Sequence, residues 1–269
     1  MDNRPIGVLD SGVGGLTVLR EIINKVPHED MIYFGDTARF PYGPKNLEEV
    51  KRFVFKITEF LFSKNVKLIV VACNTASAAA LEDLKKNFNI PIIGVIEPGA
   101  RTAAQNTVKK RVGVIATKGT VKSNAYGIAL QKINPEIKLF SSAAPVLVEY
   151  IENGVLDGKE LNDAIMSYIN PLVAENIDVL ILGCTHFPLI EKQIHDCCDS
   201  RFKVISSSLE TSKDIKATLD ELKLNCSPKL NIKPVRTFFE TGKDSKFMVI
   251  GRMFLGNKII NVEKVELEI

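Results

Sequence analysis

VLILGCTHFPL, Val179 to Leu189, is the stretch around which the chain is organised. Four apolar residues, Val179-Leu180-Ile181-Leu182, reach Gly183 and give way to Cys184-Thr185-His186, with Pro188 placed to open a helix. A short apolar run closed by such residues is a buried strand, and proline suits the first turn of the helix beyond it. The carboxyl end of this strand therefore delivers a thiol, a hydroxyl and an imidazole into a loop. Leu68-Ile69-Val70-Val71-Ala72, followed by Cys73-Asn74-Thr75 and the helix-prone run Ala76 to Leu84, does nearly the same. The expectation is that the two thiols face each other across one small molecule.

Outward from these two strands the chain repeats itself. Pro5 to Asp10 is an apolar strand that opens into Asp10-Ser11-Gly12-Val13-Gly14-Gly15 and a helix with Leu16, Leu19, Ile22, Ile23 and Val26 on one face. Val112 to Gly119 echoes Ile6 to Gly12, and Gly113 stands 71 positions before Cys184 as Gly7 stands 66 before Cys73. The glycine-rich turn exposes N–H groups at a helix start, but it lacks the lysine of a Walker loop and the spacing of a dinucleotide fingerprint. Strands alternating with helices imply parallel sheets, whose ligands sit outside the carboxyl ends of the strands. The fold expected is α/β, with two pseudo-symmetric doubly wound domains and a cleft between them. Residues 1–96 with 207–269 form the domain of Asp10 and Cys73; residues 97–206 form that of Cys184.

The remaining elements are read in the same way. Met31 to Gly35 is a strand, and the turn-rich loop Asp36 to Pro44 carries an exposed aromatic; as a lid it would set Tyr42 and Gly43 against a pocket. Leu47 to Phe62 is a periodic helix. Ile92 to Ile96 reads as a strand closing at Glu97-Pro98-Gly99. Lys138 to Ser142 is a strand, Pro145 to Asn153 a helix bearing Glu149 and Glu152, and Lys159 to Glu175 a helix perturbed at Pro171. A strand at Phe202 to Ile205, a serine-rich turn, a helix at Thr211 to Leu222 and a connector at 225–235 come next. The tail from Val235 alternates in strand fashion.

Composition narrows the function. The 269 residues are 45% hydrophobic and 25% charged, ordinary for a globular protein, and a net charge of +3 is too small to argue for nucleic acid or a membrane surface. No apolar run approaches the roughly 20 residues that span a bilayer, and the opening MDNRPIGVLD reads as a strand entry rather than a signal peptide, so a cytoplasmic protein is expected. Five cysteines, an odd number without a CxxC pair, fit neither a disulfide framework nor a structural zinc site. Cys197, Cys198 and Cys226 are given no role, and His28 and His195 are expected at the surface.

Two thiols on opposite walls of a closed cleft suit proton exchange at a stereocentre, in which one removes a proton from carbon while the other delivers a proton to the opposite face. A thiol ionises near ~8.5, so a modest push makes it a base at neutral pH. His186 is placed to assist Cys184, and Asp10 to assist Cys73. Ser11, Asn74, Thr75 and Thr185, with helix-start N–H groups, can hold carboxylates; an amino group would find Asp10 or Glu152. A single cysteine at a strand end is more often a small buried filler. Here the matched Cys-Asn-Thr and Cys-Thr-His settings favour chemistry.

DSGVGGLTVLREI, YFGDTARFPYG, VACNTASA, IGVIEPGA, GCTHFPL and, near the end, TGK and FLG together resemble the glutamate racemase family over nearly the whole chain. The resemblance implies interconversion of L- and D-glutamate without a cofactor or metal, and D-glutamate supplied for peptidoglycan, hence for cell-wall biogenesis and cell shape. It places the acid–base pair on Cys73 and Cys184 and substrate contacts on Asp10, Ser11, Tyr42, Gly43, Asn74, Thr75, Thr185 and His186. It puts the family's second-domain glutamate at Glu152, and it implies a homodimer. Two positions depart from the family pattern: Ala144, where a cysteine is common, and Ser206, where an aspartate is common. The rival readings are an aspartate racemase or related two-cysteine enzyme, a non-catalytic amino-acid receptor on paired α/β lobes, and a metal hydrolase using Cys184 and His186.

Overall fold

The computed structural model describes residues 1–198, 201–227, 233–243, 247–259 and 261–268. The first half runs β1 (Ile6–Asp10), α1 (Leu16–Lys25), β2 (Met31–Gly35), α2 (Leu47–Ser63), β3 (Leu68–Val71), α3 (Asn74–Asn87) and β4 (Ile92–Gly94). Then come α4 (Ile96–Asn106), β5 (Arg111–Ala116), α5 (Lys118–Ser123), α6 (Ala125–Ile133), β6 (Lys138–Ala143), α7 (Pro145–Glu152), α8 (Lys159–Ala174), β7 (Val179–Gly183), α9 (Glu191–Cys198) and β8 (Lys203–Ser206). The chain closes with α10 (Ser207–Glu221), β9 (Arg236–Glu240), α11 (Phe247–Leu255) and β10 (Val262–Lys264).

The strands form two sheets, ordered β10-β9-β2-β1-β3-β4 and β6-β5-β7-β8, and every pairing is parallel. The second sheet thus repeats the β2-β1-β3-β4 order of the first. The register repeats too: Gly7 lies opposite Ile69, and Gly113 opposite Leu180. Counting on from those pairs brings Cys73 and Cys184 to equivalent places past their strands.

Period-two alternation divides the apolar side chains between the two faces of each sheet. In the larger sheet, Ile6, Val8, Leu68 and Val70 pack with α1, α10 and α11, while Leu9, Ile69 and Val71 pack with α2 and α3. In the smaller, Val112, Val114, Val179 and Ile181 meet α4 and α6; Ile115, Leu180 and Leu182 meet α7, α8 and α9. Each such fully buried aliphatic side chain contributes about 1.5–3 kcal/mol. Both sheets are therefore doubly wound α/β layers. No helix among the described residues is long and apolar enough to cross a membrane.

Four local expectations change. Ile92 to Ile96 is not one strand: β4 stops at Gly94, and Glu97-Pro98-Gly99 lie within α4, where an acid and a proline are both tolerated in the first turn. The serine-rich turn is already α10, whose Ser207, Ser208, Thr211 and Ser212 face inward. Thr211 Oγ1 is satisfied by the Ser207 carbonyl at 2.7 Å, so small hydroxyls take places where periodicity looks for apolar residues. The tail is not all strand. Phe247, Ile250, Gly251, Phe254 and Leu255 recur at helical spacing and bury one face of α11 against the α1 side of the larger sheet. Last, Tyr42 is buried rather than exposed, its hydroxyl donating to Asp36 Oδ2 at 2.5 Å. Residues 228–232 of the connector, and 244–246, 260 and 269 of the tail, lie outside the described residues. The two departures are accommodated simply: Ala144 is fully buried under α7, and Ser206 ends β8.

Candidate active site

Parallel packing brings the carbonyl ends of both sheets to a shared cavity of about 610 Å³. Its walls include Ser11, Tyr42, Gly43, Cys73, Asn74 and Thr75 from the first half and Glu152, Cys184, Thr185 and His186 from the second. Ten of the eleven residues singled out in the sequence thus meet at one place. Asp10 does not reach the wall. It lies fully buried behind Ser11, with Oδ2 accepting from the Gly12 N–H at 2.9 Å and Oδ1 without a partner. Phe40, Thr117, Lys118, Val148 and Glu149 also line the cavity and were not singled out as site residues. Of these, Thr117 carried a signal as the echo of Ser11 at the end of β5, and Glu149 as the companion of Glu152 on α7.

The two halves touch closely at glycines. A Cβ on Gly14 would lie 2.4 Å from His186 Cε1 and 2.5 Å from Thr185 Oγ1, and one on Gly43 would lie 2.9 Å from Thr117 Cβ. Only glycine permits both approaches. Between them, Gly119 N–H donates to the Gly43 carbonyl at 2.8 Å, and Thr17 Oγ1 donates to the Thr185 carbonyl at 2.8 Å.

The two sulfurs have different surroundings. Cys73 caps α3, its Sγ accepting from the Ala76 N–H at 3.5 Å, and Ser11 Oγ stands 3.7 Å away. Burial, and next the charge of Asp10, push this thiol up to about 12, against the two hydrogen bonds. Burial likewise raises the Asp10 carboxyl, with the charge of His186 opposing it. Cys184 Sγ lies 3.7 Å from His186 Nδ1, and His186 Nε2 lies 2.6 Å from Glu152 Oε1. Burial works against the imidazolium, but Cys184 and Glu152 together outweigh it and lift His186 to about 10. At neutral pH both ring nitrogens therefore donate, one to sulfur and one to carboxylate.

The remaining lining is rich in hydroxyls. Thr75 Oγ1 lies 2.8 Å from Thr117 Oγ1 and 3.3 Å from Thr120 Oγ1. Phe40 covers His186, their ring centroids 5.9 Å apart. Behind the loop, buried Asp36 holds Tyr42, Arg39 and Thr241 at 2.5, 2.8 and 2.7 Å. Chemically the arrangement offers a proton donor and a proton acceptor on sulfur, charge control on each, and neutral donors for anionic groups.

Comparison with known proteins shows the family and the fold. The profile of the Asp/Glu/hydantoin racemase family matches residues 6–209. A glutamate racemase of Geobacter metallireducens is 44% identical over 98% of this chain and 97% of its own length. A glutamate racemase isoform from Bacillus anthracis superposes with a TM-score of 0.94 at 43% identity, covering 99% of both chains. A glutamate racemase from Francisella tularensis, crystallised in complex with D-glutamate, superposes with a TM-score of 0.92 at 39% identity, over 100% of this chain and 99% of its own.

Proposed function

Since this chain belongs to the Asp/Glu/hydantoin racemase family, we propose that it interconverts L- and D-glutamate by proton transfer at the α-carbon between Cys184 and Cys73. The observation that carries the reading is the shared cavity with two unlike sulfurs: one sits beside an imidazolium, and the other is held protonated by burial and Asp10. In one direction the Cys184 thiolate takes the α-proton and the Cys73 thiol gives its proton to the opposite face. The C–H bond broken leaves its electron pair on carbon, and the new C–H bond consumes that pair. Cys184 ends as thiol and Cys73 as thiolate, the starting state for the other enantiomer. His186, oriented by Glu152, donates to the Cys184 sulfur while it is charged. The carbanion-like intermediate is held by a water-poor cavity with preorganised donors, and no step is assigned to a cofactor.

Ser11, Tyr42, Gly43, Asn74, Thr75, Thr185 and His186 hold the substrate's charged groups in this reading. Residues 1–96 with 207–269 and residues 97–206 act as two jaws around it. The enzyme works in the cytoplasm as a homodimer and supplies D-glutamate for peptidoglycan.

The test is deuterium entry. In heavy water, the purified chain should convert either glutamate enantiomer to the other with one deuterium at the α-carbon, and should turn over aspartate far more slowly. Binding without exchange would favour a receptor; faster exchange of aspartate would reassign the substrate.

Glu152→Gln gives a pH-dependent result. In the wild type the imidazolium persists below its value of about 10 and is lost as pH rises through it. Without the carboxylate, burial gains on the remaining partner, so the charge is lost at lower pH. The alkaline limb of kcat/KM should move acidward by about one unit, so that activity near pH 10 falls about fivefold while activity at pH 8 changes little. An unmoved limb would mean that Glu152 does not control His186.

A further inference from the structure

The turn that carries the second-half site leaves one backbone oxygen without a local donor. Past Cys184 the chain tightens into bonds three residues apart: the Phe187 N–H donates to the Cys184 carbonyl at 3.2 Å, and the Leu189 N–H to the His186 carbonyl at 3.1 Å. The bond between these two, to the Thr185 carbonyl, would have to come from residue 188, which is proline and has no N–H. Thr185 is buried, and a buried carbonyl left unanswered costs free energy unless a donor comes from elsewhere.

The donor comes from the other half. Thr17, the second residue of α1, is fully buried and does not line the cavity. Its Oγ1 lies 2.8 Å from the Thr185 carbonyl and 2.9 Å from the Gly14 carbonyl, but a hydroxyl has one proton to give. The Gly14 carbonyl already accepts from the Thr17 N–H at 3.0 Å. Among the described residues, the Thr185 carbonyl accepts from Thr17 alone. The hydroxyl proton therefore belongs to Thr185, and Ser208 Oγ, on α10 at 3.4 Å, can donate to the oxygen it leaves.

This tie falls where alignment matters. Thr185 stands between Cys184 and His186, and the same start of α1 fits against both Thr185 and His186 at Gly14. Misplacing a reacting group by about 1 Å can cost about a hundredfold in rate. We propose that Thr17 is a positioning residue for the proton transfer: it latches the Cys184-Thr185-His186 turn to the half that carries Cys73 and so fixes the two sulfurs relative to each other. This rests on the racemase reading above and adds to it a residue that does not touch substrate. The latch is releasable, because with the halves apart the Gly14 carbonyl takes the hydroxyl proton instead.

Thr17→Val keeps the shape and removes the hydroxyl; Thr17→Ser keeps the hydroxyl. With racemisation measured well below each melting temperature, Thr17→Val should lower kcat about tenfold or more while KM changes less than about threefold. Thr17→Ser should stay within about threefold of the wild type in both. A role confined to stability would leave kcat of folded Thr17→Val unchanged. Pro188→Ala separates the need for a donor from the need for a tie. Added to Thr17→Val, it supplies an N–H that can answer the Thr185 carbonyl from within its own turn, yet kcat should stay low. Should Thr17→Val alone fail to fold, this double variant carries the same readout. Unchanged kcat in Thr17→Val, an equal loss in Thr17→Ser, or recovery of kcat on adding Pro188→Ala would overturn the latch while wild-type turnover left the racemase reading intact. A wild-type chain that does not turn glutamate over would overturn both.

Discussion

Cys73→Ser and Cys184→Ser should each abolish racemisation, by about a thousandfold or more, and should fail in opposite stereochemical senses. A serine hydroxyl fills nearly the same space but cannot become a base at neutral pH. Each variant therefore keeps one working sulfur on one face of the α-carbon. That sulfur can still remove the proton it faces and return a solvent proton to the same side. In heavy water, one variant should wash deuterium into one glutamate enantiomer without inversion, and the other variant into its mirror image. The fold should survive, since each cysteine sits in a loop past its strand and loses no large side chain. The double variant should do neither. Mass spectrometry after chiral separation reads all three results. Full turnover in either single variant, or exchange of the same enantiomer by both, would rule out two sulfurs on opposite faces. Burial and Asp10 push Cys73 up to about 12, so its thiolate is scarce at neutral pH. Exchange relying on Cys73 as base should therefore gain as pH rises.

How much of this was legible depends on which physical signal each part leaves in the sequence. The central strands show as unbroken apolar runs because both of their faces are covered. Their shared register with Gly7 and Gly113 makes the repeat visible at nearly equal spacing. Cys73 and Cys184 were legible because strand ends in parallel sheets are where ligands sit. The rest of the site was hidden for identifiable reasons. Thr17 reads as one polar position of a helix, and nothing local says that its hydroxyl crosses to the other half. Phe40 and Thr117 contribute through a loop and a strand end whose partners lie far away in the chain. Asp10 was read as a wall residue because sequence places it beside Ser11, but the turn after it carries its carboxylate inward to the Gly12 N–H. α11 was taken for strand because its nine residues are apolar enough to satisfy either period over a short window; burial then chose the helical one.

Lys67 is a further example, and the substitution Lys67→Met should unfold this protein more readily than any surface change while leaving its chemistry alone. Lys67 immediately precedes β3 and is fully buried. Its Nζ donates to Glu29 Oε2 at 2.5 Å and to the carbonyls of Asp2 and Leu224, each at 2.7 Å. Glu29 Oε1 in turn accepts from the Cys226 N–H at 2.9 Å. One ammonium group thereby ties together the amino terminus, the approach to β2, the start of β3 and the segment after α10. Methionine matches the stem but supplies no charge and no donor, stranding a buried carboxylate and two carbonyls. Breaking one side of such a pair costs about 3–5 kcal/mol, which for a chain of this size lowers Tm by about 10 °C. Yet Lys67 stands six residues before Cys73 along an extended strand, about 20 Å from the cavity. At temperatures where the variant is folded, kcat and KM should match the wild type. Adding Glu29→Leu should restore much of the lost stability, because an apolar pair replaces a stranded charge. Calorimetry on the single and double variants, with activity measured well below both transitions, separates the two effects. A loss under about 1 kcal/mol would show that the carboxylate finds another donor, and a fall in kcat at full folding would show that this distant anchor positions Cys73 after all.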